Sequence, residues 1–185
     1  TYNSNIYIVM YHYVREIKKS NYPNLCGLEF NDFKKQIHYF SKNFNILSND
    51  DLIEILQTKK IPKKKSVLLT FDDGYKDHYK YVYPFLKEKK ILGNFYPSVQ
   101  ALKNKKVLDI NKIHFILEKE NNKDKILKLI FKFTKKFANK TERNYPINKI
   151  KTVSRYDDKK TEIIKRLLQN VLPLNLRSKI LNSLF

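Results

Sequence analysis

The sequence predicts an α/β fold with parallel strands over its first hundred residues, followed by a helical region. Three observations support this. Short β-branched and aromatic runs alternate with stretches whose apolar residues recur at helical spacing. The most apolar run stops at Asp72-Asp73-Gly74, after which a helical pattern begins. Beyond about residue 102 no segment reads as a strand. The chain therefore divides into residues 1–102, built on strand–helix alternation, and residues 103–185, a basic, mainly helical insertion or subdomain.

In chain order, Ile6 to Tyr11 is a β-branched and aromatic run suited to a buried strand. A loop with Pro23 and Gly27 follows. Phe33, Ile37, Phe40 and Phe44 then recur at helical spacing, with Asn31 placed to cap that helix. Asn45-Ile46-Leu47 reads as a brief strand. Ser48 and Asp51 form a variant capping box that opens a helix carrying Leu52, Ile55 and Leu56. Pro62 and the three lysines after it make an exposed connection to Ser66–Phe71, a central buried strand. Tyr75, Tyr79, Val82 and Leu86 give the apolar stripe of the next helix, which Pro84 should kink or divide. Leu92 to Pro97 is the next strand. In the second region a helix from Asp109 to Glu118 precedes three apolar stripes. These are Ile126, Ile130, Phe133 and Phe137, then Ile164, Leu167, Leu168 and Val171, then Ile180, Leu181 and Leu184.

Composition bounds the function. Of 185 residues, 42% are hydrophobic, enough to build a core and exclude wholesale disorder. A single cysteine, Cys26, excludes an internal disulfide framework and any multi-cysteine zinc site. No apolar stretch approaches the roughly 20 residues that cross a bilayer. Thr1 stands first with no basic-then-apolar leader after it, so the compartment stays open, the cell envelope included. The net charge is +20 and uneven. Residues 1–102 hold 16 basic against 10 acidic residues, a balance of +6, whereas residues 103–185 hold 22 against 8, a balance of +14. Such a field attracts polyanions, whether nucleic acid, anionic lipid or an acidic glycan. The abundance of Lys, Asn, Ile and Tyr is equally what a compositionally biased genome produces.

The adjacent carboxylates of Asp72 and Asp73 are the sharpest chemical feature. In parallel α/β architectures, ligands and catalytic groups gather at the carboxyl ends of strands. A turn starting at Asp72 can bring both side chains towards one pocket, and Gly74 permits the backbone conformation this needs. Two carboxylates so close repel one another, and a bound cation relieves the repulsion. Taken alone, Asp-Asp-Gly serves equally well as a turn that opens a helix.

In its strand context, Thr70-Phe71-Asp72-Asp73-Gly74 resembles the first signature of the polysaccharide deacetylases, the NodB-homology group akin to carbohydrate esterase family 4. Met10-Tyr11-His12-Tyr13-Val14 is similar to the first-strand segment of many members. The helix, short strand and acidic helix start from Phe30 to Leu52 are similar to their next step, and Gly93–Pro97 to the strand after the signature. Leu108 to Phe115 is similar to a segment of relatives with a helical insertion. The resemblance spans residues 6–118 and implies the N-terminal half of a distorted (β/α)7 barrel. It also implies metal-dependent removal of acetyl groups from an N-acetylated polysaccharide. Asp72 would be the general base and Asp73 a ligand of a divalent metal, usually zinc. His12, ending the first strand, and Tyr75, following the signature, fall at the rim of the implied pocket.

Part of the family pattern is missing. Its other two metal ligands form an H-x3-H pair, and no two of His12, His38, His78 and His114 have that spacing. His78 reads as a surface residue, His38 as a boundary residue and His114 as a packing residue. These 185 residues are expected to show little deacetylase activity alone and to belong to a longer, active polypeptide. Two rival readings remain. One is a nucleic-acid-binding module using the basic helices at 123–140 and 159–179, although Phe131, Phe133 and Phe137 interleave with isoleucines as core residues do. The other is a non-catalytic glycan-binding or assembly domain. The basic helices could also touch an anionic membrane surface. Phosphotransfer of the haloacid-dehalogenase type needs carboxylates two residues apart and is set aside.

Overall fold

The computed structural model describes residues 5–139 and 150–185. Thr1 and the last residue of the helix expected over 123–140 lie outside that range. The described residues fall in two compact units, the first ending at Lys106 and the second beginning at Val107.

The first unit contains β1 (Ile6–Tyr11), β2 (Val14–Arg15), β3 (Leu28–Glu29), α1 (Phe30–Asn43), β4 (Asn45–Leu47) and α2 (Asn49–Thr58). It continues with β5 (Ser66–Asp73), α3 (Tyr83–Glu88), β6 (Asn94–Pro97) and α4 (Val99–Asn104). β5 is the centre of a parallel sheet. It pairs with β1 from Ile6↔Ser66 to Tyr11↔Phe71. It also pairs with β4 from Asn45↔Ser66 to Leu47↔Leu68, and with β6 from Thr70↔Asn94 to Asp73↔Pro97. Parallel neighbours need long crossovers, which is why helices separate these strands in the sequence.

A central parallel strand is covered by its neighbours, and every residue of β5 from Ser66 to Phe71 is buried, the polar Ser66 and Thr70 included. Val67, Leu69 and Phe71 face Phe33 and Ile37 of α1, with Val82 and Leu86 completing the core. Phe71 is stacked between Tyr11, at 5.1 Å, and Phe95, at 4.8 Å. On the alternate positions of β1, Ile8 and Met10 are 63% and 61% exposed, so this sheet is covered less on one face than on the other.

Three expectations about local structure need correction. Asn31 is not a cap: α1 begins at Phe30, with Glu29 as its N-cap and no side-chain cap bond. Glu29 is held extended by the β2–β3 pairing, and its carboxylate accepts from the Ile17 amide at 2.8 Å, so the helix starts directly from the strand. Leu56 is 67% exposed rather than packed on the face of α2. Tyr79 is 77% exposed, and the buried residues of that stretch are His78, Val82 and Leu86. A π-helical turn over His78–Val82 widens the coil and rotates the inward face by one position. The wider turn also accommodates Pro84, which stands directly after it at the start of α3. The capping box at Ser48 and Asp51 forms as expected, the two residues bonding reciprocally at 3.0 and 2.7 Å.

The second unit holds α5 (Asp109–Lys119), α6 (Lys123–Phe137), α7 (Lys159–Arg166), a π-helical turn over Leu167–Val171, and α8 (Leu174–Leu184). Ile113, Ile126, Ile130, Ile164, Leu167 and Ile180 form its core, with Phe131, Phe133 and Phe137 packed against it. Glu162 is buried and accepts from the amides of Val153, at 2.9 Å, and Ser154, at 3.0 Å. No helix among the described residues is long and apolar enough to cross a membrane.

Candidate active site

β5 runs two residues further than the apolar pattern implies. Asp72 pairs with Tyr96 and Asp73 with Pro97, so both aspartates belong to the strand tip. The chain turns at Asp73 (φ +70°) and Gly74 (φ +66°). Asp tolerates the left-handed region better than most residues, and Gly tolerates it freely. A Cβ on Gly74 would also lie 2.6 Å from the Cβ of Pro97 and 2.8 Å from its Cα, so no side chain fits there. Strand alternation places Asp72 on the face of Leu68 and Thr70, opposite the helix-packed core, while Asp73 sits where the chain leaves the strand. Both carboxylates are half-buried.

Their partners differ. The Tyr75 hydroxyl donates to Asp73 Oδ2 at 2.6 Å, a bond made possible by the turn at Gly74. Asp72 has no hydrogen-bond or ion-pair partner among the described residues. Tyr75 stacks on Tyr13 with ring centroids 4.4 Å apart and is hydrogen-bonded to it. Burial, and then the bond to Asp73, push the Tyr75 phenol well above its ordinary range, which keeps it a proton donor at neutral pH. Tyr13 is itself buried, with the Arg15 guanidinium 5.1 Å from its ring centre. Arg15 pairs with Asp77 at 2.5 Å. The loop closes on Tyr13 through Gly27, where a Cβ would come within 2.7 Å of the Tyr13 Cβ.

His12 follows β1, and its side chain is exposed. Its backbone oxygen accepts from His78 Nε2 at 2.6 Å. His78 is therefore not on the surface. It is only 3% exposed and lies among Phe71, Tyr75 and Phe95, with ring centroids 5.5 to 6.0 Å away. A carbonyl partner requires the proton on Nε2, and burial lowers the His78 pKa, so the ring is neutral. Its spacing of four from Val82 and eight from Leu86 was the sequence signal for this inward position. His38 is exposed and His114 half-buried.

Among the described residues no group of three or more His, Cys, Asp or Glu side chains is placed to hold a metal. What the strand tip offers is two carboxylates, one of them fixed by a phenol with its second oxygen free of described partners. Hard oxygen donors of this kind fit a divalent cation, as part of a coordination sphere. Open clefts beside α2 (about 330 Å³) and beside α3 (about 430 Å³) are lined by neither aspartate.

The carboxylate pair stands at the carboxyl end of a central parallel strand, where ligands gather in parallel α/β architectures, on a turn that leaves no room for a side chain at Gly74. Residues 59–141 match the family model described as polysaccharide deacetylase. It is 36% identical over 81 residues to "Putative polysaccharide deacetylase YxkH" of Bacillus subtilis (strain 168), covering 44% of this chain and 27% of that protein. The chain thus spans about a quarter of that relative's length. Similar solved structures include a de-N-acetylase from Aggregatibacter actinomycetemcomitans (27% identity, 50% of this chain and 37% of that one, TM-score 0.41). Another is the Streptococcus pyogenes deacetylase PplD in complex with acetate (23%, 62% and 51%, TM-score 0.45). A third is IcaB from Ammonifex degensii (26%, 49% and 37%, TM-score 0.40).

Proposed function

We propose that this chain supplies the base and one metal ligand for hydrolytic removal of N-acetyl groups from a polysaccharide, in a site built on a partial (β/α)7 barrel. The observation that carries the reading is the placement of Asp72 and Asp73 at the tip of β5 within the family-matched segment. A divalent ion held by Asp73, zinc by family resemblance, would polarise the amide carbonyl and acidify a bound water. Asp72, with no competing partner among the described residues, is the group that takes the proton from the attacking water. Water adds to the carbonyl carbon, the C–N bond breaks, and acetate and a free amine leave. His12 and Tyr75 stand at the edge of this tip, Tyr75 through its bond to Asp73.

With Asp73 as ligand, Asp72 as base and no H-x3-H pair in 185 residues, two of the three protein ligands of a catalytic zinc are missing, and little activity is expected of this chain alone. The test is acetate release from an N-acetylglucosamine oligomer by a longer polypeptide that joins these residues to an H-x3-H pair. Release that depends on added metal and drops at least a hundredfold in Asp72→Asn supports the reading. Equal release by Asp72→Asn refutes it. The nucleic-acid alternative loses its aromatic platform, because Phe131, Phe133 and Phe137 pack against the core of the second unit. An electrostatic hold on an anionic glycan or membrane surface remains compatible with its +14 balance.

A further inference from the structure

We propose that Tyr75, backed by Tyr13, is a positioning residue that makes Asp73 a one-oxygen ligand. The phenol holds Oδ2 and leaves Oδ1 to face the cation. This rests on the reading of Asp73 as a metal ligand. Asp73 ends β5 in a left-handed conformation, so the strand pleat does not set the direction of its side chain and the carboxylate needs a partner to fix its torsion. Tyr75 supplies it with a short, charge-assisted bond of 2.6 Å. A phenol has a single proton, and that of Tyr75 is committed to Asp73.

The support continues outward. The stacked rings keep Tyr75 from swinging away, and the Arg15–Asp77 pair and the Gly27 loop hold Tyr13 in turn. The chain of contacts fixes not only where Asp73 is but which of its oxygens is free. Hydrogen-bonded partners of this kind govern ligand orientation, and their loss typically weakens metal binding about 10–100-fold.

The test is a Mn2+ titration of the isotope-labelled 185-residue chain to millimolar concentration, followed by paramagnetic line broadening. The exposed Asp50–Asp51 pair of α2 serves as an internal reference for adventitious carboxylate binding. Wild type should broaden residues 72–75 before the reference pair. Tyr75→Phe should lose that preference while keeping its thermal midpoint within a few degrees, and Tyr13→Phe, which keeps the stacked ring, should lose part of it. If Asp73→Asn abolishes the preference but both tyrosine variants retain it, the positioning role is wrong and the ligand reading stands. If wild type shows no preference, or Asp73→Asn keeps it, the ligand reading fails and takes the inference with it. Should Tyr75→Phe not fold, the Tyr13→Phe result decides.

Discussion

His78 Nε2 stands 2.6 Å from the backbone oxygen of His12, joining the wide turn after the acid pair to the end of β1. The bond uses the neutral ring, and burial holds the His78 pKa below its ordinary 6.5. The unfolded chain therefore takes up this proton more readily than the folded one. The stability this residue contributes is complete above about pH 6.5 and is lost as the pH falls through its lower folded value.

Thermal midpoints between pH 7.5 and pH 5 check this. Wild type should lose more over that interval than His78→Gln, which keeps an N–H for the His12 carbonyl and has nothing to titrate. Parallel profiles would contradict the burial of a neutral histidine.

The turn after Asp73 should resist any side chain at position 74. Gly74→Ala must adopt a left-handed conformation and displace Pro97 at the end of β6, so it should cost at least about 1–2 kcal/mol in urea denaturation. Asp73→Asn should cost less, since Asn also tolerates that region. A Gly74→Ala protein as stable as wild type would mean the turn at the strand tip has another shape.

In the second unit, Glu162 anchors residues 153 and 154. Amide bonds from Val153 and Ser154 lead the effects that hold its carboxyl below the usual range. Its contribution is present above the ordinary carboxylate pKa, near 4.5, and disappears as the pH falls through the lower folded value. Glu162→Gln should speed amide exchange at Val153 and Ser154 and lower the melting midpoint at pH 7, with the gap to wild type narrowing at pH 3. An unchanged exchange rate at both amides would rule out the anchor.

Much of the site's scaffold was legible because it follows from periodicity. The apolar Val67-Leu68-Leu69 run and Phe71 mark the buried central strand, and in the second unit Ile126, Ile130, Ile164 and Leu167 are buried at the expected helical spacing. Periodicity does not choose between two competing registers, as Tyr79 and His78 are before Val82 and Leu86, and it does not register a contact across a turn. The π turn moved His78 inward and Tyr79 outward, reversing the reading of both. The Tyr75–Asp73 bond spans two residues through consecutive left-handed positions, and nothing in residue type alone specifies it. The cap at Asn31 failed for a tertiary reason, the pairing of β3 with β2.

The central claim is that the strand tip holds a cation beside a base. Crystals of this chain soaked in millimolar zinc and measured at the zinc absorption edge test it most directly. An anomalous peak is expected about 2.0–2.2 Å from one oxygen of Asp73, with Asp72 within hydrogen-bonding reach of a water on the ion. No peak at Asp73, or a peak there with Asp72 turned away from it, would contradict the account.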